Sequence, residues 1–179
     1  MRKGKLQIFQ GITPKSFQQY LYHVLTEMRA RYPRLVVPCA GRFTIPGIAL
    51  AAGYRPEQIE TSDIGLFSSV LGYVVASKSL VGLGVCFGGP LAHLAEHDGQ
   101  PSHAGAILYG IKWTQLAHAK TYYMQEFRRE LESDPWHYIQ AFSHEVETIA
   151  ARLAGIRYRI VDMFAEIHEA ADDPHCLLF

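Results

Sequence analysis

Helical spacing governs the first stretch of this chain. After Thr13-Pro14, the apolar residues Phe17, Tyr20, Leu21, Val24 and Leu25 recur every three or four positions until Tyr32-Pro33. That pattern predicts an amphipathic helix with Pro14 at its first position. The run from Arg34 to Val37, bounded by Pro33 and Pro38, is too short for a helix and suits a buried strand. Pro38 to Gly53 reads as a glycine-containing turn followed by a helix of small residues that stops at Gly53. Gln58 to Asp63 predicts a second strand ending in an acid, and Leu66 to Ser79 a helix returning over the sheet.

The texture then changes. Val81 to Pro90 is glycine-rich, and turn residues continue through His103 with histidines at 93, 97 and 103, which predicts a mobile loop or lid. Two long helices are expected, from about Ala104 to Leu131 and from about Pro135 to Ala154, with Ser133-Asp134-Pro135 as cap and start between them. The aromatic positions of the first, Tyr109, Trp113, Tyr122, Tyr123 and Phe127, read mainly as core, with a minor reading of Tyr122 or Tyr123 as a base-stacking surface. Tyr158 to Val161 closes as a third strand before Asp162, Phe164 to Ala171 as a short helix, and Cys176 to Phe179 as a fourth strand. The fold class is therefore α/β and Rossmann-like. One domain is expected over residues 1–179, with a helical, glycine-rich insertion at 81–155.

Composition narrows the picture. With 179 residues, 49% of them hydrophobic, the chain can bury a core without staples. Seventeen basic and seventeen acidic side chains cancel, so nothing in the total charge announces a polyanion, and any nucleic-acid surface must be local. Arg128, Arg129, Arg152, Arg157 and Arg159 form the densest basic region, but interleaved glutamates make it read as a salt-bridged helix face. Cys39, Cys86 and Cys176 are odd in number and widely spaced, which fits a reducing cytoplasm and neither a disulfide framework nor a Cys-x-x-Cys metal site. Arg2, Lys3 and Lys5 precede no long apolar run, so no membrane association is expected.

Chemistry concentrates at the strand ends. A strand, a tight glycine turn and a helix start present backbone N–H groups to a nucleotide or nucleoside, with Gly41 expected closest to ligand. Asp63 follows that turn by about twenty residues, the spacing at which Rossmann-like folds place a carboxylate on ribose hydroxyls. Asp162 ends the third strand, where it can face a ligand or cap the following helix. His93 and His97 are four apart but lack the His-Glu-x-x-His order, and no metal is expected. Cys39 before a helix could be an activated thiol, though a small buried side chain under the crevice is the preferred reading.

These residues also carry a resemblance. Leu35-Val-Val-Pro-Cys-Ala-Gly41 followed by Thr-Ser-Asp63-Ile-Gly-Leu66 resembles the paired first motifs of Dam-type, S-adenosylmethionine-dependent DNA adenine-N6 methyltransferases, roughly EPFxGxGS and DxNxxL. Ile160-Val-Asp162-Met-Phe164 looks like the later strand-end DF element of that family. The resemblance covers about residues 34–70 and 158–179 and implies a class I methyltransferase sheet. It also implies S-adenosylmethionine as cofactor, held by Pro38, Cys39, Ala40, Gly41, Thr44, Asp63, Ile64, Asp162 and Met163, with Asp162 near the cofactor adenine. Val37 stands where the family has an acid, Arg42-Phe43 replace the second glycine, and the catalytic Asp-Pro-Pro-Tyr tetrapeptide is absent from the chain. Asp173-Pro-His175 precedes the last strand and cannot replace it.

The resemblance thus implies a DNA methyltransferase or its cofactor-binding portion, with DNA as partner and a second chain or downstream segment supplying the base-binding motif. Two alternatives stand beside it. One is a non-enzymatic protein that keeps the crevice to bind a nucleoside or a partner; the other is an α/β enzyme of unrelated chemistry using the glycine-rich loop and histidines.

Overall fold

The computed structural model describes residues 13–179; Arg2, Lys3 and Lys5 lie outside the described residues. The described residues form two compact units, one from the segments 13–68 and 153–179 and one from 69–152.

The first unit is built on a sheet of four parallel strands, β1 (Arg34–Val37), β2 (Ile59–Ser62), β3 (Arg157–Arg159) and β4 (Cys176–Leu178), in the order β3-β2-β1-β4. That order is the start of the doubly wound, Rossmann-like pattern, because the chain steps outward from β1 to β3 and then crosses to the other side of β1. Helices of this unit are α1 (Lys15–Met28), α2 (Thr44–Ala51) and α7 (Met163–Ala171). Pro14 sits one position before the first helical residue and its carbonyl accepts the Gln18 N–H at 3.0 Å. Of the apolar stripe expected on α1, Leu21 and Leu25 are buried whereas Phe17 and Tyr20 are about half exposed or more.

Register explains the two faces of the sheet. Leu35 pairs with Ile59 and Leu177, and Thr61 with Tyr158, so a mostly apolar row shares one face. The opposite face holds Arg34, Glu60, Arg157 and Arg159. There Arg34 forks onto both Glu60 carboxylate oxygens at 3.0 Å and reaches Asp173 at 3.0 Å, while Arg157 contacts Glu60 at 2.6 Å. The Arg34 hydrogen bonds hold the Glu60 carboxyl below the usual range. Arg159 joins the buried Glu166 and the exposed Glu169 of α7, each at 3.0 Å. Arg157 and Arg159, expected on a salt-bridged helix face, lie instead on a strand, and Arg159 ties the sheet to the last helix.

In the second unit, the glycine-rich stretch folds into short 3₁₀ helices at Leu80–Leu83 and Gly89–His97. His97 and His103 are buried, so the loop expected from its turn chemistry carries part of the unit's interior. The single helix expected from Ala104 to Leu131 is two, α4 (His103–Leu116) and α5 (Tyr122–Ser133). Thr121 explains the break: its hydroxyl accepts the Met124 N–H at 3.3 Å and opens a new helix. The break also divides the aromatic stripe, for Tyr109 is buried while Tyr122 and Tyr123 are among the most exposed aromatic residues described. A third helix, α6 (Pro135–Leu153), crosses α4 so closely that a Cβ on Gly105 would meet the Ile139 carbonyl oxygen at 2.0 Å. The connecting helix α3 (Leu66–Val75) begins in the first unit and continues into the second.

Among the described residues, no helix is long and apolar enough to cross a membrane.

Candidate nucleotide crevice

Backbone conformation builds the turn after β1. Cys39, Gly41 and Phe43 all have positive φ, at 57, 51 and 60°. Two of the three carry side chains, a conformation that costs each of them about 1 kcal/mol or more and persists only where the surroundings impose it. Three hydrogen bonds do so here. Ala40 N–H donates to the Ser62 carbonyl at 2.9 Å, Phe43 N–H to the Ala40 carbonyl at 2.7 Å, and Gly41 N–H to Asp63 Oδ2 at 2.9 Å. The turn is therefore fastened to the end of the neighbouring strand. Phe43 does not crowd the crevice; it is buried, its ring 5.9 Å from that of Tyr158.

Asp63 is the centre of the arrangement. Its second oxygen, Oδ1, accepts the Gly65 N–H at 2.8 Å, so the carboxylate links the turn after β1 to the loop after β2. Its own backbone is held by the Tyr158 hydroxyl, which donates to the Asp63 carbonyl at 2.8 Å, and by its N–H donating to the Arg159 carbonyl at 3.4 Å. A carboxylate offers about four lone-pair sites, so two remain for hydroxyl donors after Gly41 and Gly65 are served. Gly41, expected to face ligand through its N–H, spends that N–H on Asp63 instead.

Asp162 N-caps α7, its Oδ1 accepting the Phe164 N–H at 2.9 Å, which leaves Oδ2 outside that bond. The capping role read from sequence is thus occupied, and it does not consume the whole carboxylate. Both acids act on Cys39: burial first, then the Asp63 and Asp162 charges, push its thiol up from the ordinary value. An activated thiolate needs the opposite shift; the residue is also exposed at the turn and is not the small buried side chain expected under the crevice.

Apolar side chains rim the same strand ends. Ile64 follows Asp63 and is 67% exposed, and Phe164 follows Asp162 by two positions and is 71% exposed. Thr44 opens α2, Pro38 and Met163 are half-buried, and Ala40 lies beneath the turn, 7% exposed. All nine residues singled out in the sequence fall in the loops and helix starts that follow β1, β2 and β3. What sequence reasoning missed is Tyr158, the hydroxyl that positions Asp63; its period-two place in β3 would have put it inward. Ser62 was missed as well, and its Oγ is buried without a hydrogen-bond partner beside the same turn.

The geometry thus offers a carboxylate pair at adjacent strand ends, a strained backbone turn and two exposed apolar side chains at the carboxyl edge of a parallel sheet. Open α/β sheets bind ligands at such an edge, next to the strand where the order reverses. Among the described residues, no group of three or more His, Cys, Asp or Glu side chains is placed to hold a metal ion.

No curated protein and no solved structure matches the chain. The family model described as Phage DNA Adenine Methylase-like domain 1 matches residues 9–179. That match takes in every strand of the sheet and the whole of the crevice, and by it the chain belongs to the phage DNA adenine methylase-like domain 1 family.

Proposed function

We propose that the chain is the cofactor-binding portion of an S-adenosylmethionine-dependent DNA adenine-N6 methyltransferase. The single observation that carries this reading is the joining of Gly41 and Asp63 by a 2.9 Å hydrogen bond at the carboxyl edge of the sheet, with the Asp162 carboxylate at the end of the next strand. These residues fit the cofactor's parts. Two lone-pair sites on Asp63 receive ribose hydroxyls, Asp162 meets the adenine amino group, and Ile64 and Phe164 cover the faces of the purine ring. Pro38, Cys39, Ala40, Thr44 and Met163 line the approach. When bound, the cofactor supplies an electrophilic methyl group on sulfonium. The chain's contribution is positioning, since an in-line displacement gains most from orientation and from a dry, fixed electrostatic setting.

The group that receives the target adenine is assigned to no residue here, because the chain contains no Asp-Pro-Pro-Tyr sequence. We place it in a partner polypeptide or in a segment encoded downstream. The helical unit at 69–152 is then the insertion that such a domain carries between β2 and β3.

Calorimetry with S-adenosylmethionine and with its demethylated product tests the reading. Binding of both is expected; binding of neither overturns it. A methylation assay on adenine-containing DNA, with and without the downstream gene product, then separates a catalytic part from a protein that only binds. Activity in the mixture alone supports the divided enzyme, and none in either supports a nucleoside- or partner-binding role.

A further inference from the structure

The helical unit contains a cavity that the methyl-donor reading does not use. It measures about 640 Å³ and lies between the segment Glu96–Ser102 and one face of α6, with Trp136, Gln140, Ser143, His144 and Glu147 on the helix side. Two of its lining residues are rings in contact. The Trp136 side chain is half exposed, and the buried His97 ring stacks against it at 5.7 Å with planes 19° apart. His97 is fixed by a second contact, Nδ1 to Ser102 Oγ at 2.8 Å. Nε2 is left as the ring's free polar atom, with the nearest carboxylate oxygen, Glu96 Oε1, at 3.9 Å and beyond hydrogen-bond reach.

We propose that this cavity binds a purine base. Three features select that chemistry. A tryptophan braced by a second ring is a rigid platform for a flat, polarisable ligand, and such stacking is tolerant of the attached sugar. Gln140 lies one helical turn, about 6 Å, along α6 from Trp136 and lines the same cavity, which puts its amide within reach of the edge of a ring stacked on the indole. A glutamine amide can donate to N7 and accept from the N6 amino group of adenine together. The charge of the rim then decides between base and phosphate: Glu96 and Glu147 flank the cavity and repel a phosphate group. The ligand is thus a nucleoside, or a base presented by a strand whose phosphates stay outside. Because the cavity is built wholly from residues of the helical unit, the inference does not depend on the cofactor reading.

The chain has two tryptophans, so Trp113→Phe leaves Trp136 as the sole fluorescent reporter. That protein is titrated with adenosine, with adenosine 5′-monophosphate and with a short single-stranded oligoadenylate. Saturable quenching by adenosine is expected, weakened about tenfold or more by Gln140→Ala and for the monophosphate. Quenching by the oligonucleotide at lower concentration than by adenosine would assign the base to a strand, and the reverse order to a free nucleoside. In the unaltered chain, Trp136→Ala should weaken adenosine binding at this site by about tenfold or more, the usual cost of losing one stacked base. Asp63→Ala should leave the Trp136 response intact while weakening cofactor binding about 100-fold, which keeps the two sites separable. If Trp113→Phe folds poorly, the Trp136 indole resonance of the unaltered chain reports the same contact. No saturable response at millimolar adenosine, or a response undiminished in Gln140→Ala, overturns the proposal.

Discussion

Replacing Asp63 tests structure and function at once, because its carboxylate makes two measurable bonds before any ligand arrives. In Asp63→Ala the Gly41 N–H loses its acceptor at 2.9 Å and the Gly65 N–H its acceptor at 2.8 Å. Hydrogen bonds to a charged group contribute about 1.5–3 kcal/mol when buried, and these are half-buried at best, so the pair should cost about 2 kcal/mol of stability. Asp63→Asn keeps one acceptor oxygen but turns an amide N–H₂ toward the other donor, and should lose about 1–2 kcal/mol. Urea unfolding followed by circular dichroism measures both. The same variants should lose about 100-fold in affinity for S-adenosylmethionine by calorimetry, the equivalent of about 2.7 kcal/mol. A folded Asp63→Ala protein with unchanged cofactor affinity would refute the ribose assignment. Unchanged stability in both variants would refute the idea that this carboxylate holds the turn.

Tyr158→Phe removes the hydroxyl that donates to the Asp63 carbonyl at 2.8 Å, and should cost about 1 kcal/mol together with a smaller loss of cofactor affinity than Asp63→Ala; equal stability by urea unfolding would deny it a positioning role. Gly105→Ala sets a Cβ 2.0 Å from the Ile139 carbonyl oxygen and 2.4 Å from Ser143 Oγ, so α4 and α6 must move apart; a net loss of about 1–3 kcal/mol is expected despite alanine's better helix propensity, and a stabilised variant would contradict the crossing. His103 is buried, its Nδ1 accepting the Gly99 N–H at 3.3 Å, which puts the neutral ring's proton on Nε2, 3.0 Å from Asp98 Oδ1 but poorly aligned for a hydrogen bond. Burial lowers its pKa against the opposing pull of Asp98, so the unfolded chain binds the extra proton first and stability should fall as pH drops below about 6.5; His103→Gln should flatten that fall in pH-dependent unfolding, and an unaltered slope would remove the effect. Cys39, its thiol pushed up by burial and by two carboxylates, should alkylate at pH 8 more slowly than in the unfolded chain by peptide mapping; faster labelling would reopen the nucleophile reading.

Local patterns in the sequence determined the elements of the first unit and which residues stand at its strand ends. The short run bounded by prolines marked β1, and the segments ending at Asp63, at Asp162 and at Phe179 marked the other three strands within a residue or two. Gly41, Asp63 and Asp162 were legible as candidates because they follow strand ends, where open α/β sheets bind their ligands. Periodicity could not place the break at Ala117–Thr121, where a helix-compatible sequence is interrupted by a single capping hydroxyl. Nor could it show that the histidine-bearing stretch supplies buried rings, because turn residues look alike whether a loop is solvated or packed.

Only the tertiary structure decided how these residues meet. The left-handed turn at Cys39–Phe43, the Asp63 carboxylate shared between two backbone N–H groups, and the Tyr158 hydroxyl behind it involve residues up to 119 positions apart in the chain, from 39 to 158. So does the conversion of scattered arginines and glutamates into a ladder across one face of the sheet. Sequence spacing encodes what a residue can do within its own element. Which donor meets which acceptor is set by strand order and register, and those follow from packing distant segments around a common core.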